Sequence, residues 1–215
     1  MWARDLSSVL ALFTSLTSLE VHAREWSIRK DHVPITLPCV TALQWALYEN
    51  EALPGHILNL PILLHLHLVG VYVDKLEALV EPYRQTLKSI IFDLPCMIQR
   101  NEEPTLPSWD FYPHLEELAL KRFKPLLRHR LADHALERFY MSELSISTLH
   151  FLVGTSSRLR VVNIASLDWK DDGVQLHDLE RFTFERLVRL CQVKSIRLED
   201  RHGLTATEAR FELRH

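Results

Sequence analysis

One six-residue pattern, apolar-x-x-apolar-x-apolar, recurs along this chain at a near-constant interval and restricts its fold more than any other feature. In order, the copies are Leu16-Leu19-Val21, Val40-Leu43-Trp45, Leu63-Leu66-Leu68, Leu87-Ile90-Phe92, Leu115-Leu118-Leu120, Leu136-Phe139-Met141, Leu159-Val162-Ile164 and Val193-Ile196-Leu198. Their central residues are separated by steps of 24, 23, 24, 28, 21, 23 and 34. Self-similarity at this period marks a solenoid, in which each unit buries its apolar edge only against its neighbours. Within each copy the second and third apolar residues are two apart, so they share one side of an extended strand. A step of this size leaves roughly 17 residues for the return path, which suits two turns and a short helix. It is cramped for a βαβ crossover unit of ~30 residues. The pattern therefore predicts an α/β solenoid: a curved parallel sheet of about eight short strands, with helices or irregular segments on the convex side.

The intervening segments agree with that geometry. Val73–Thr86 places Leu76, Leu79 and Val80 on one helical face, and Pro82 limits the helix near its end. Ser145–Thr155 does the same with Ile146, Leu149, Leu152 and Val153. Leu176–Cys191 is the strongest helical segment, with Leu179, Phe182, Phe184, Leu187, Val188 and Leu190 on a wide apolar arc. Arg4–Thr14 has Leu6, Val9, Leu10 and Phe13 at helical spacing, which makes residues 1–15 a candidate N-terminal cap. Thr205 and Glu208 have capping-box spacing, so 204–215 is a candidate C-terminal cap. Gln99–Pro113 and Asp168–Gly173 lie in the two long steps and are expected as surface loops. Because the repeat runs nearly end to end, residues 1–215 are expected to form a single domain.

Composition narrows the class of function. A formal charge of −3 offers no basic footprint for nucleic acid. The apolar stretch His56–Val73 is interrupted by His65 and His67 alternating with leucines, the mark of a half-buried strand rather than a membrane span. The run Leu6–Leu19 follows Asp5, is broken by Ser and Thr, and lacks a small-x-small site, unlike a signal peptide. Cys39, Cys96 and Cys191 are odd in number and widely spaced, so they form no disulfide framework and are expected as buried fillers. A cytoplasmic or nuclear location follows from these expectations.

The repeated pattern resembles the leucine-rich-repeat (ribonuclease-inhibitor-like) superfamily over nearly the whole chain. The family usually has Asn or Cys three residues after the last apolar position. Here those places hold Arg24, Tyr48, Val71, Pro95, Phe123, Leu144, Leu167 and Arg201. Apolar packing must then hold the turns in place of an Asn ladder. The irregular steps and segments such as LTSLEV, LPILLHLHLVGV, HLEELAL and LRVVNI are similar to the repeat regions of mushroom-type fungal F-box proteins. The F-box itself is missing: Ala52–Leu64 has Leu-Pro and Ile-Leu elements, but Pro61 interrupts the helix and the third repeat already occupies the segment. The resemblance implies a non-catalytic protein–protein interaction module, the substrate-recognition region of a ubiquitin-ligase adaptor, reaching a cullin-type ligase through an F-box. The alternative is a free-standing scaffold unrelated to ubiquitination.

In such a coil the residues flanking the two inward strand positions face the concave surface. Those expected to meet a protein partner are Glu20, Gln44, His65, His67, Lys121, Arg138, Tyr140, Asn163 and Arg197, with Tyr140, Arg138 and Arg197 leading because Tyr and Arg are enriched at binding hot spots. His65-x-His67, with Asp93 as the nearest third candidate, has the spacing of a metal site, but paired strand histidines without a visible third ligand are usually plain surface residues. Asp168–Gly173 fails as a calcium loop, because Lys170 stands at a ligand position and no Glu stands at the twelfth. No nucleophile elbow, phosphate loop, dinucleotide fingerprint or zinc-protease motif is present. No cofactor, metal or catalytic residue is therefore expected.

The inward register makes a direct prediction. Leu118→Asp should unfold the central coils by burying an unpaired charge, whereas Lys121→Ala and Arg138→Ala should leave the thermal midpoint near that of the parent. A Leu118→Asp protein that melts like the parent would show the register to be wrong.

Overall fold

The computed structural model describes residues 13–23, 34–47, 58–70, 80–93, 112–121, 134–170 and 178–212. The eight expected strands are all present: β1 (Ser18–Ala23), β3 (Ala42–Leu47), β5 (His65–Val69), β6 (Ser89–Asp93), β7 (Glu117–Lys121), β8 (Arg138–Met141), β9 (Val161–Ile164) and β10 (Arg197–Glu199). They pair in chain order as one parallel eight-stranded sheet, so each coil of the solenoid contributes one strand beside the last. A second, two-stranded parallel sheet joins β2 (Ile35–Thr36) to β4 (Leu58–Asn59) on successive return paths.

Alternation dictates what is buried. Leu43 and Trp45, Leu66 and Leu68, Ile90 and Phe92, Leu118 and Leu120, Phe139 and Met141, and Val162 and Ile164 are all buried, in register across the sheet. Leu19 and Val21 on the first strand are only partly buried, as expected where a stack ends. A backbone ladder sets the register. The carbonyl of Thr17 accepts both Thr41 N–H and Ala42 N–H, and Thr41, Leu64, Lys88, Glu116 and Glu137 each accept two N–H groups from the following coil in the same way. The chain also reaches the strands through a repeated tight turn. Leu16, Val40, Leu63 and Leu115 donate their N–H to Phe13, Leu37, Leu60 and Tyr112 three residues earlier. Leu37, Leu60 and Tyr112 are buried, which extends the apolar pattern three residues upstream. Tyr112, expected in the Gln99–Pro113 surface loop, is therefore a core residue.

Two helices fall where periodicity puts them. Helix α1 (Ile146–Thr155) buries Leu149, Leu152 and Val153. Helix α2 (Asp178–Val193) buries Phe184, Leu187 and Cys191, but Phe182 is exposed and stands outside the expected apolar arc. The Lys194 ammonium donates to the carbonyls of Val153 (2.6 Å) and Gly154 (3.1 Å), joining the end of α2 to the C-terminus of α1. Of the helix expected over Val73–Thr86, residues 73–79 lie outside the described residues; Val80 is α-helical and runs into a 3-10 turn at Glu81–Tyr83. The helix expected at Arg4–Thr14 and the 99–111 part of the loop lie outside the described residues, apart from Phe13 and Thr14.

The last coil corrects the expected register. Leu198 pairs with Val162 rather than Ile164, a step of 36 residues instead of 34. Val193, expected as the first apolar residue of the last copy, ends α2 and is 83% exposed. The cause is the helix terminus. Ser195 takes a left-handed conformation (φ 57°), its N–H bonds to the Gln192 carbonyl, and Ile196 N–H reaches back to Cys191 at 2.8 Å. This reversal closes the helix and leaves both Cys191 and Ile196 buried, so the strand begins only at Arg197.

The slip leaves Asp200 at the inward place where Ile164 would be matched, and it is 0% exposed. Its carboxylate accepts three backbone N–H bonds, from His202 (2.8 Å), Leu204 (3.0 Å) and Trp169 (3.2 Å). Gly203, at φ 74°, makes the tight turn around it possible. The chain then enters helix α3 (Ala206–Glu212) through the expected capping box, with Thr205 N–H on Glu208 at 2.8 Å and Glu208 N–H on the Thr205 hydroxyl at 3.4 Å.

These two positions separate the observed register from the expected one. Val193→Asp should change stability by no more than about 0.5 kcal/mol, the range of ordinary surface substitutions. Asp200→Ala strands three backbone donors and should cost about 3 kcal/mol or more. Urea denaturation of both variants checks the pair, and a reversed order of stability would restore the 193–196–198 register.

Candidate functional site

The outward residues of the eight strands form rows in register across the sheet. All nine expected partner-facing residues lie on this outward face. Glu20, Gln44, His67, Tyr140 and Asn163 share the middle row, which runs Glu20, Gln44, His67, Ile91, Ala119, Tyr140, Asn163, Glu199. His65, Arg138 and Arg197 lie in the row before it, and Lys121 in the row after it, beside Asp93. One period-2 alternation thus places the core residues inward and brings these polar residues together outward.

At the N-terminal end the middle row is a chain of hydrogen bonds. His22 Nε2 and Glu20 Oε1 are 2.6 Å apart, Gln44 Nε2 donates to the same oxygen at 2.5 Å, and His67 Nδ1 lies 2.9 Å from Gln44 Oε1. Burial, and then the Lys121 ammonium, lower the His67 pKa from 6.5, against the opposing pull of Asp93 and Glu20. His65, two residues earlier, is exposed.

The centre of the row is apolar. Ile91 and Tyr140 are half-buried, and Ala119, shaded between them, is 7% exposed. Glu117 and Arg138 are register partners on one side of this patch, and Asp93 and Lys121 on the other. An apolar centre with a charged rim is the anatomy of a protein-binding surface. Ile91 and Ala119 are not among the nine expected partner-facing residues. Their signal was present, since SIIFD and ELALK keep apolar residues at outward positions where a solvated face would alternate to polar.

At the C-terminal end the row is tied into the cap. The Arg197 guanidinium donates to both Glu208 oxygens (3.2 and 3.3 Å) and to Glu199 (3.0 Å). Asn163 Nδ2 donates to the Asp200 carbonyl at 2.8 Å. The Thr205 N–H, the Thr205 hydroxyl and Arg197 together hold the Glu208 carboxyl below its usual range. Arg197 and Asn163 therefore brace the last coil, which leaves Arg138 and Tyr140 as the more available of the leading candidates.

Among the described residues, no three His, Cys, Asp or Glu side chains converge as metal ligands. A shallow groove of about 450 Å³ on the return paths is lined by Pro34, Leu58, Asn59, Pro61, Pro82 and Tyr83, among others. Its phenol donates to the Leu58 carbonyl at 3.1 Å, and burial pushes its pKa up to about 12, so it stays protonated. No described helix is long and apolar enough to cross a membrane.

The cysteines divide. Cys191 is buried as expected, and burial raises its thiol to about 11. Cys39, expected in the core, is exposed in the turn before β3, and Cys96 lies outside the described residues. Iodoacetamide labelling of the folded protein, mapped by peptide mass spectrometry, should modify Cys39 readily and Cys191 only after unfolding. Equal labelling of both would contradict this arrangement.

Comparison of the chain with protein-family models, curated proteins and solved structures finds no match.

Proposed function

We propose that this chain is a non-catalytic protein–protein interaction module of the leucine-rich-repeat type, with the outward strip of its sheet as the concave binding face. The observation that carries this reading is the central patch Ile91–Ala119–Tyr140 within its charged rim. Apolar side chains held outward on a parallel sheet gain by meeting a partner, and the flanking charges give that partner a register. The regular interval of the pattern and the in-register stack support the family assignment, while its Asn position holds neither Asn nor Cys in any of the eight copies. At two described places that position is filled by Leu144 and Leu167, which pack on the core, and Ser166 ties neighbouring turns by accepting Leu144 N–H at 2.9 Å.

Within this reading, the chain serves as the substrate-recognition repeat region of an F-box-type ubiquitin-ligase adaptor. Support for that step is confined to the resemblance of its segments to fungal F-box repeats. A second reading, a free-standing scaffold, is favoured by Pro61, which sits in a tight turn of the third coil where an F-box helix would have to continue.

Affinity capture with quantitative mass spectrometry tests both. Tyr140→Ala combined with Arg138→Ala should lose at least tenfold of the proteins that the parent retains, while Glu185→Ala, an exposed position on α2, should retain them. Equal recovery with all three proteins would overturn the binding face. Cullin-ligase subunits among the retained proteins support the adaptor reading, and other stable partners without them support the scaffold.

A further inference from the structure

The hydrogen bonds at the N-terminal end of the strip have a direction that follows from donor and acceptor chemistry alone. An ionised carboxylate can only accept, so Glu20 Oε1 requires a donor from each neighbour. Gln44 meets it with its amide nitrogen, which turns its carbonyl oxygen to the next coil. That oxygen is itself only an acceptor, so His67 Nδ1 must carry the proton. His22 faces the same carboxylate oxygen through Nε2, so its proton must sit there. The two rings are thus set in opposite tautomers by one carboxylate. In His67 the remaining nitrogen, Nε2, is a lone-pair acceptor on the ring edge away from β3. Among the described residues it is shielded from solvent without a hydrogen-bond partner.

We propose that Glu20, Gln44 and His67 form a directed relay that holds His67 on the binding strip as a neutral Nδ1–H ring, and that protonating this ring in mild acid breaks the relay and alters the surface offered to a partner. A second proton would make Nε2 a cationic donor where the described residues supply no acceptor, so the charged ring must leave Gln44 and seek water. The charged groups that bear on the ring are Glu20 on β1, Asp93 on β6 and Lys121 on β7; the titratable His22 on β1 and His65 on its own strand lie on the same outward face. Burial and Lys121 oppose the cation, while Asp93 and Glu20 favour it. Because the folded chain binds this proton more weakly than the unfolded chain, the group leaves stability unchanged above pH 6.5. It lowers stability as the pH falls from there to the depressed folded value. The biological use of this device rests on the proposed binding face, but the relay itself can be examined without any partner.

Long-range nitrogen-15 correlation spectra of the histidine rings, recorded on the isolated full chain, read the tautomers directly. Above pH 7 the parent should show His67 as Nδ1–H and His22 as Nε2–H, with His67 titrating below the ordinary histidine value of 6.5. Glu20→Lys replaces the terminal acceptor by a donor. It should flip the Gln44 amide and convert His67 to the Nε2–H form without shifting the thermal midpoint by more than a few degrees. If that variant fails to fold, Gln44→Leu removes the acceptor and should leave His67 as a mixture of tautomers. Finding His67 as Nε2–H in the parent, or as Nδ1–H in a folded Glu20→Lys or Gln44→Leu protein, would overturn the relay. Loss of partner capture by the Tyr140 and Arg138 variant leaves these spectra unchanged, so the two claims fail separately.

Discussion

Each coil of this protein has an apolar edge that it cannot bury by itself, and the remaining architecture depends on how neighbouring coils cover it. The backbone supplies the alignment, because one carbonyl per coil accepts two N–H groups of the next, from Thr17 through Glu137. That ladder holds successive strands in one register, so the two inward residues of each coil stack on those of its neighbours. A side chain moved by one position would exchange core for surface along a whole strand. The same constraint that makes the core therefore also composes the outward strip.

A stack of this kind is complete everywhere except at its ends. At the C-terminal end the apolar series stops at Asp200, whose carboxylate takes up the backbone donors of a chain reversing direction. A buried carboxylate satisfied by three N–H groups terminates the stack with a polar group at no unpaired cost. Arg197 and Asn163 are drawn into this arrangement, the first through a fork onto Glu208 and the second through the Asp200 carbonyl. Closing the solenoid thus removes two side chains from the face available to a partner. The usable strip is the part between the relay at β1–β5 and the cap at β10.

That strip changes character along its length for local reasons. Glu20, Gln44 and His67 are long or ring-shaped polar residues at adjacent register positions, so they satisfy one another across coils. Ile91, Ala119 and Tyr140 have no such partners to offer and form an apolar patch, rimmed by Asp93, Lys121, Glu117 and Arg138. A partner crossing the strands would meet hydrogen-bonding groups at one end and an apolar anchor point in the middle. This order is a property of the register, since none of these residues is close to its row neighbours in the chain.

The amino-acid pattern by itself determined the strand positions, the parallel solenoid, the inward residues of seven coils, α1, α2 and the capping box at Thr205 and Glu208. These are local or periodic features, and apolar spacing reports them directly. Three things escaped it. Tyr112 looked like part of a polar loop because its burial comes from a turn shared with other coils. Val193 looked like the start of the last copy because its apolar spacing is genuine, but the helix runs through it and closes at Ser195, where the chain reverses and Ile196 N–H returns to the Cys191 carbonyl. The hydrogen-bond partners of Arg197 and Gln44, and the apolar neighbours of Ile91, lay out of its reach for the same reason. Residue type says what a side chain is able to bond, whereas only the lateral register of the sheet says which group stands beside it.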